Sequence, residues 1–173
     1  MLPAGYSARS RVYEYGGDPF AVLSGGRIIL SNFSDNSINI LNVDNGNVKR
    51  LIHKEVLRYA GYNAHPGDQP WVLAVEEDHS IDIPENVTNY LVAINTETSE
   101  VKRIAAGADF YVFPGFSYDG KKVCWVEWNI PWSGVRLYWA DFTEDGTLEN
   151  IELAGGVSRM SVRWLQPFTC VVA

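Results

Sequence analysis

The sequence has few of the features that mark secreted, membrane or disulfide-stabilised proteins. Its only two cysteines, Cys124 and Cys170, each lie in an apolar, strand-like stretch, and the sequence does not decide whether they pair. No stretch reaches the roughly 18 apolar residues of a membrane span, and no charged segment followed by an apolar one marks a signal peptide. We therefore expect no membrane partner and a cytoplasmic location.

Basic residues are also scarce and scattered. The chain has 14 Lys and Arg against 21 Asp and Glu, a formal net charge of −7, and no run of basic residues. Affinity for a phosphate backbone requires a clustered basic face. The sequence therefore argues against nucleic acid as a partner.

Helical periodicity is missing throughout, whereas signals of β-structure are abundant. Of the residues, 46% are hydrophobic and 13% aromatic, a globular composition that suits pleated surfaces. Short apolar runs alternate with Gly, Asn, Asp and Pro, as strands alternate with turns. Three sets of four strands are predicted: residues 20–23, 27–31, 37–43 and 48–52; 59–63, 71–76, 90–95 and 101–104; and 112–116, 122–127, 135–141 and 151–153.

The third and fourth strands of these sets repeat. Asp44, Asn95 and Asp141 are aligned as the residues that close the three third strands, and residues 48–52 (VKRLI) nearly repeat at 101–105 (VKRIA). Four-stranded units at intervals of about 40 to 50 residues are typical of β-propeller blades. A single β-sandwich is the alternative, which the repetition disfavours.

The predicted fold is therefore all-β, a partial β-propeller of about three four-stranded antiparallel blades with the start of a fourth. A ring normally needs about four to eight blades, so we expect a fragment of a longer protein or a ring completed by another chain. The predicted divisions are an N-terminal segment (1–19), three blades (20–56, 57–106 and 107–156) and an incomplete blade (157–173).

Several segments resemble sequence motifs of the N-terminal propeller of prolyl oligopeptidase-type serine peptidases, in the dipeptidyl aminopeptidase or acylaminoacyl peptidase branch. The most specific is SRVYEYGG at residues 10–17, in which Tyr13 stands where the family often has His. Residues 75–79 resemble a second motif of the family, Arg-Glu-Asp-His, with Glu76 in place of the Arg. The other similar segments are residues 30–33, 107–111, 116–122, 125–128 and 131–134.

The resemblance implies that the catalytic Ser, Asp and His lie in a separate C-terminal α/β-hydrolase domain. That domain, or the remaining blades, would be the partner of this chain, and the parent protein would hydrolyse small peptides. The chain itself would limit access to the active site. The nearest match to a nucleophile motif surrounds Ser117, but Asp119 stands where Gly is required and a strand follows, so Ser117 is expected in a hairpin turn.

No catalytic residue, metal ligand or cofactor site is therefore assigned. The candidates for facing substrate are Glu14 and Tyr15 beside a Gly-Gly turn, the acidic cluster containing Glu77, Asp78 and His79, and Trp128. A carboxylate of the cluster could hold the free amino group of a peptide, although a solvated turn with a local ion pair is the simpler interpretation. For Glu14 the simpler interpretation is a structural turn held by its buried hydrogen bond.

The remaining aromatic and histidine candidates also have structural interpretations. Trp128 and Trp132 are expected to be the most exposed tryptophans of their blade, the others serving as core. None of the three histidines has a visible partner set for a catalytic triad. Two other functions stay open: a non-enzymatic interaction propeller, and a lactonase-like propeller with a metal in its channel, which would need carboxylates from several blades.

Overall fold

The computed structural model describes residues 2–129 and 134–156, which form three separate four-stranded antiparallel sheets that do not close into a ring. The first contains β1 (Phe20–Leu23), β2 (Arg27–Ser31), β3 (Ile38–Asn42) and β4 (Val48–Ile52). The second contains β5 (Leu57–Ala64), β6 (Trp71–Asp78), β7 (Thr88–Asn95) and β8 (Val101–Ala106). The third contains β9 (Phe110–Phe116), β10 (Lys122–Trp128), β11 (Val135–Phe142) and β12 (Leu148–Gly155).

Each sheet pairs its strands in sequence order, so the blade prediction is confirmed. The predicted start of a fourth blade, Trp132 and Cys170 lie outside the described residues. Helical structure in the described residues is limited to the 3-10 turns Val12–Glu14 and Pro84–Asn86, and none of it is long and apolar enough to cross a membrane.

The hairpin turns correct the alignment of the repeats. The Asn42 side chain accepts hydrogen bonds from the backbone N–H groups of Asp44 and Asn45, at 3.0 and 3.2 Å. The Asn95 side chain accepts in the same way from the backbone N–H groups of Glu97 and Thr98, at 3.0 Å each. Asn42, rather than Asp44, is therefore the counterpart of Asn95, because an Asx side chain that bonds to the backbone initiates both turns.

The second sheet is the centre of the structure because both of its faces are buried. Along β6, Leu73 and Val75 pack toward the third sheet, whereas Val72 and Ala74 pack toward the first. Side chains alternate between the faces of a strand, so a strand between two sheets is apolar at every position. This explains the unbroken apolar run of residues 71–75.

Residues 2–19 lie across one end of the sheets, which we call the N-terminal face. Strands β1, β5 and β9 begin at this face and β2, β6 and β10 end there, because neighbouring strands are antiparallel. Ala8 forms a bridge to Asn32 after β2, and the Tyr13 hydroxyl donates to the carbonyl of Tyr111 in β9. The segment thus connects the first and third sheets on the face that carries most of the candidate residues.

Candidate functional site

The turn at Val12–Glu14 has an unusual backbone. Tyr13 and Glu14 have φ angles of 55° and 60°, in the left-handed region that costs a non-glycine residue about 1–2 kcal/mol. Glu77 at the end of β6 accepts the Tyr13 N–H at 3.1 Å, while the Tyr13 hydroxyl accepts the Tyr111 N–H at 3.0 Å. These long-range bonds hold the turn against its local strain.

Burial also affects the tyrosines that anchor the turn. It raises the pKa of the Tyr13 phenol well above its usual range, and the nearby Glu77 charge acts in the same direction. It raises the pKa of Tyr111 to about 12, although that hydroxyl accepts the Ala108 N–H. Both groups are therefore neutral hydrogen-bonding groups at physiological pH.

A charge network lies directly beneath this turn. Arg58 Nη1 in β5 is 2.8 Å from Glu14 Oε1 and 3.5 Å from Glu77 Oε2. His79 Nε2 is 2.8 Å from Glu77 Oε2, and its Nδ1 is 2.7 Å from Asp82 Oδ1. Three carboxylates thus surround one guanidinium and one imidazole, so the network is net negative at neutral pH. The hydrogen bond from His79 lowers the pKa of Asp82, which keeps that carboxylate ionised.

Burial differs sharply within the network and corrects two expectations. Glu77 is buried, with a side chain 7% exposed, so this part of the acidic cluster is not a solvated turn. Glu14 is 79% exposed, so the buried hydrogen bond that holds the turn comes from Glu77 and not from Glu14. His79 has a carboxylate at each ring nitrogen, and no described serine hydroxyl bonds to it.

Glu76 and Asp78 belong to the opposite side of β6, as the alternation of the strand predicts. Arg103 in β8 binds Glu76 at 2.6 Å and Asp78 at 2.7 Å, and the Tyr59 hydroxyl donates to Glu76 at 2.6 Å. Burial opposes ionisation of Asp78, but hydrogen bonds from Ser80 and Arg103 outweigh it and lower its pKa. Burial and the Glu76 charge raise the pKa of Tyr59. Asp78 thus pairs with Arg103 within the second sheet and is not a neighbour of Glu14.

The aromatic candidates have different environments. Trp128 is half-buried and stacks on Phe110 at 5.1 Å between ring centroids, and Phe110 in turn meets the Tyr13 ring edge-on at 5.2 Å. Trp128 therefore supports the Tyr13 turn from the third sheet. Tyr15 is 97% exposed and free of such packing.

An open cavity of about 350 Å³ lies beside the turn on the N-terminal face. Glu14 and Tyr15 form part of its wall, and Arg11 and Phe33 form another part. The structure therefore brings Glu14, Tyr15, Glu77 and His79 to one region, with Arg58 as a partner that the sequence did not reveal. Arg58 is the cross-strand neighbour of Glu77, but the predicted strand began one residue too late to include it.

Two chemistries considered from the sequence have no assembled site in the described residues. Ser117 donates to Asp119 at 2.7 Å and accepts the Lys122 N–H at 2.9 Å, in the turn between β9 and β10. It is a turn residue, as expected. Within residues 2–129 and 134–156, no group of three or more His, Cys, Asp or Glu side chains is arranged to hold a metal ion.

Comparison with solved structures identifies the architecture. The chain superposes on a Mycobacterium tuberculosis puromycin-hydrolyzing peptidase with a TM-score of 0.76 and 28% identity, over 92% of this chain and 27% of that one. It superposes on a puromycin hydrolase with a TM-score of 0.75 and 24% identity, over 91% and 27% of the two chains. The resemblance to a peptidase propeller is confirmed. The chain thus spans about a quarter of the peptidases' length.

The same fold also occurs in a solved structure of lower sequence identity. A putative TolB from Agrobacterium tumefaciens superposes with a TM-score of 0.57 and 22% identity, over 81% of this chain and 47% of that one. No family model and no curated protein sequence matches the chain. The two peptidases and the putative TolB therefore share the fold of this chain.

Proposed function

We propose that this chain is the substrate-gating propeller portion of a serine peptidase of the dipeptidyl or acylaminoacyl type, and that it is not catalytic by itself. The carrying observation is the net negative network of Glu14, Glu77 and Asp82 around Arg58, with Glu14 on the wall of an open cavity. The likeness to puromycin-hydrolysing enzymes over about a quarter of their length supports the assignment to a portion of such a protein.

The network suits the amino end of a small peptide. An ammonium group carries a compact charge and three donors, which exposed carboxylate oxygens can accept. Only Glu14 offers an exposed carboxylate at the cavity, because Glu77 is buried beneath the turn. Glu14 is therefore the proposed contact with the peptide, while Glu77 and Arg58 position the turn that carries it.

The peptide Ala-Phe-amide, which has a free amine, and acetyl-Ala-Phe-amide, which lacks it, test this proposal. In NMR titrations of the full chain, we expect the free amine to bind more tightly, and Glu14→Gln to remove that difference. Glu97→Gln is the matched control, since Glu97 is exposed in the β7–β8 turn at the opposite end of the sheet. Equal binding of the two peptides would contradict the ammonium site.

An activity assay tests the second half of the proposal. We expect the purified chain to leave aminoacyl p-nitroanilides intact at the buffer rate. Hydrolysis by the chain that is lost on heat denaturation would refute the non-catalytic assignment. Small-peptide partners, the exclusion of nucleic acid and membrane, the blade boundaries and the cytoplasmic location stay predictions, the last of which cell fractionation would test.

A further inference from the structure

Two guanidinium groups share one aromatic ring on the wall of the cavity. The Arg9 and Arg11 guanidinium carbons lie 4.7 and 4.3 Å from the centroid of the Phe33 ring. A guanidinium that rests on an aromatic face is held in place, yet its planar edge keeps its N–H donors available. The stacking therefore pre-organises donors beside the cavity without using them.

These two arginines differ from most others in the described part of the chain. Arg50, Arg58, Arg103 and Arg136 each form an ion pair with at least one carboxylate. Neither Arg9 nor Arg11 forms one with any described carboxylate, although the chain has 21 acidic residues and a net charge of −7.

The cavity also has a definite polarity. Arg9, Arg11 and Phe33 line it together with Glu14, whose carboxylate is the proposed contact for an ammonium group. A short unblocked peptide carries an ammonium group at one end and a carboxylate at the other. Arginine is especially suited to the second group because two parallel N–H donors match the two carboxylate oxygens.

We propose that Arg9 and Arg11, supported by Phe33, form a subsite for the terminal carboxylate of a short peptide. The proposal deepens the proposed function and rests on it, since Glu14 would hold the other end of the same ligand. The cavity would then favour free dipeptides and similarly short products or substrates over internal segments of long chains, which carry no terminal charge to satisfy both ends.

A carboxylate-specific titration tests the subsite independently of the amine. Acetyl-Ala-Phe has a carboxylate and no amine, and acetyl-Ala-Phe-amide has neither. In NMR titrations of the full chain we expect the carboxylate to tighten binding about tenfold, the equivalent of one good charge-assisted contact. Arg11→Gln should remove most of this difference, and Arg9→Gln should reduce it.

The control is Arg27→Gln. Arg27 also has no described carboxylate partner but lies at the opposite end of the first sheet, where it donates to the Ser24 carbonyl. This variant should keep the full preference. If Arg11→Gln lowers the thermal midpoint of the chain, the variant at the more exposed Arg9 provides the measurement instead. No preference for acetyl-Ala-Phe, or a preference that survives both substitutions, would overturn the subsite.

Inorganic phosphate distinguishes a peptide subsite from a general anion site. We expect phosphate to compete weakly with acetyl-Ala-Phe, whereas phosphate that binds more tightly would overturn the assignment to carboxylate. The amine comparison at Glu14 uses ligands without a carboxylate. A failed carboxylate subsite and a failed ammonium site therefore give separable results.

Discussion

Glu77 and Glu14 bind the same guanidinium from very different environments, which makes them a matched pair. The Glu77 side chain is 7% exposed and also accepts the Tyr13 N–H and bonds to His79. The Glu14 side chain is 79% exposed, and its ion pair is with Arg58. If burial controls the energetics, replacing the two carboxylates with alanine should have very different effects on stability.

The expected loss of stability for Glu77→Ala follows from the buried groups that lose a hydrogen-bonding partner. Removing one partner of a buried ion pair costs about 3–5 kcal/mol, but Arg58 keeps Glu14 and the Arg11 carbonyl, so we expect about 3 kcal/mol. For a chain of this size, that corresponds to a fall of about 6–12 °C in the thermal midpoint. Glu14→Ala should cost less than about 1 kcal/mol, as exposed ion pairs do.

Urea unfolding followed by tryptophan fluorescence measures both values on the full chain. Equal losses for the two variants would refute the argument, because it would mean that burial of the carboxylate does not determine its contribution. A small loss for Glu77→Ala would also refute it, since the strained Tyr13 turn would then be held by other contacts.

Three further predictions concern the stability of the folded chain. Gly120→Ala should lower the free energy of unfolding by more than about 2 kcal/mol, because its φ is +73° and a Cβ would lie 2.2 Å from His65 Nε2. Gly46→Ala is the control: it has the same φ but lies in open space, and should lower the free energy of unfolding by about 1 kcal/mol. Tyr59→Phe should cost about 1–3 kcal/mol in urea unfolding by removing the hydroxyl donor of a buried carboxylate. The lowered pKa of Asp78 means that its stabilisation is complete above about pH 4 and is lost as pH falls through the lower folded value, so Asp78→Asn should flatten the acid limb of a stability–pH curve. Unchanged midpoints or an unchanged acid limb would contradict the respective assignments.

The strands were predictable from the sequence because each apolar run is bounded by turn-forming residues. β1, β2 and β4 begin and end at the predicted residues. β5 begins at Leu57, earlier than predicted. The prediction began too late because the charged Arg58 interrupts the apolar pattern, although in the sheet Arg58 lies opposite the buried Glu77. A local pattern cannot show a charge that is compensated by the neighbouring strand.

The candidate site was only partly predictable for the same reason. Strand alternation correctly separated Glu77 and His79 from Glu76 and Asp78. The sequence could not show that Glu14 is exposed and Glu77 buried, since that difference depends on a turn that contacts β9 across the second sheet. Contacts between residues so far apart in the chain leave no local signal.

The anchoring of the N-terminal segment has a consequence for synthesis on the ribosome. Tyr13 emerges early, but its hydroxyl bonds to Tyr111, 98 residues later in the chain. At about 5–20 residues per second, the partner follows about 5–20 s behind. During that interval the first two sheets can form and dock the segment through the Ala8–Asn32 bridge, the Arg58–Glu14 ion pair and the hydrogen bond from the Tyr13 N–H to Glu77. The cavity, whose lining residues all lie between positions 9 and 33, should therefore be able to form before β9 is made, and the contact of the Tyr13 hydroxyl with Tyr111 should follow.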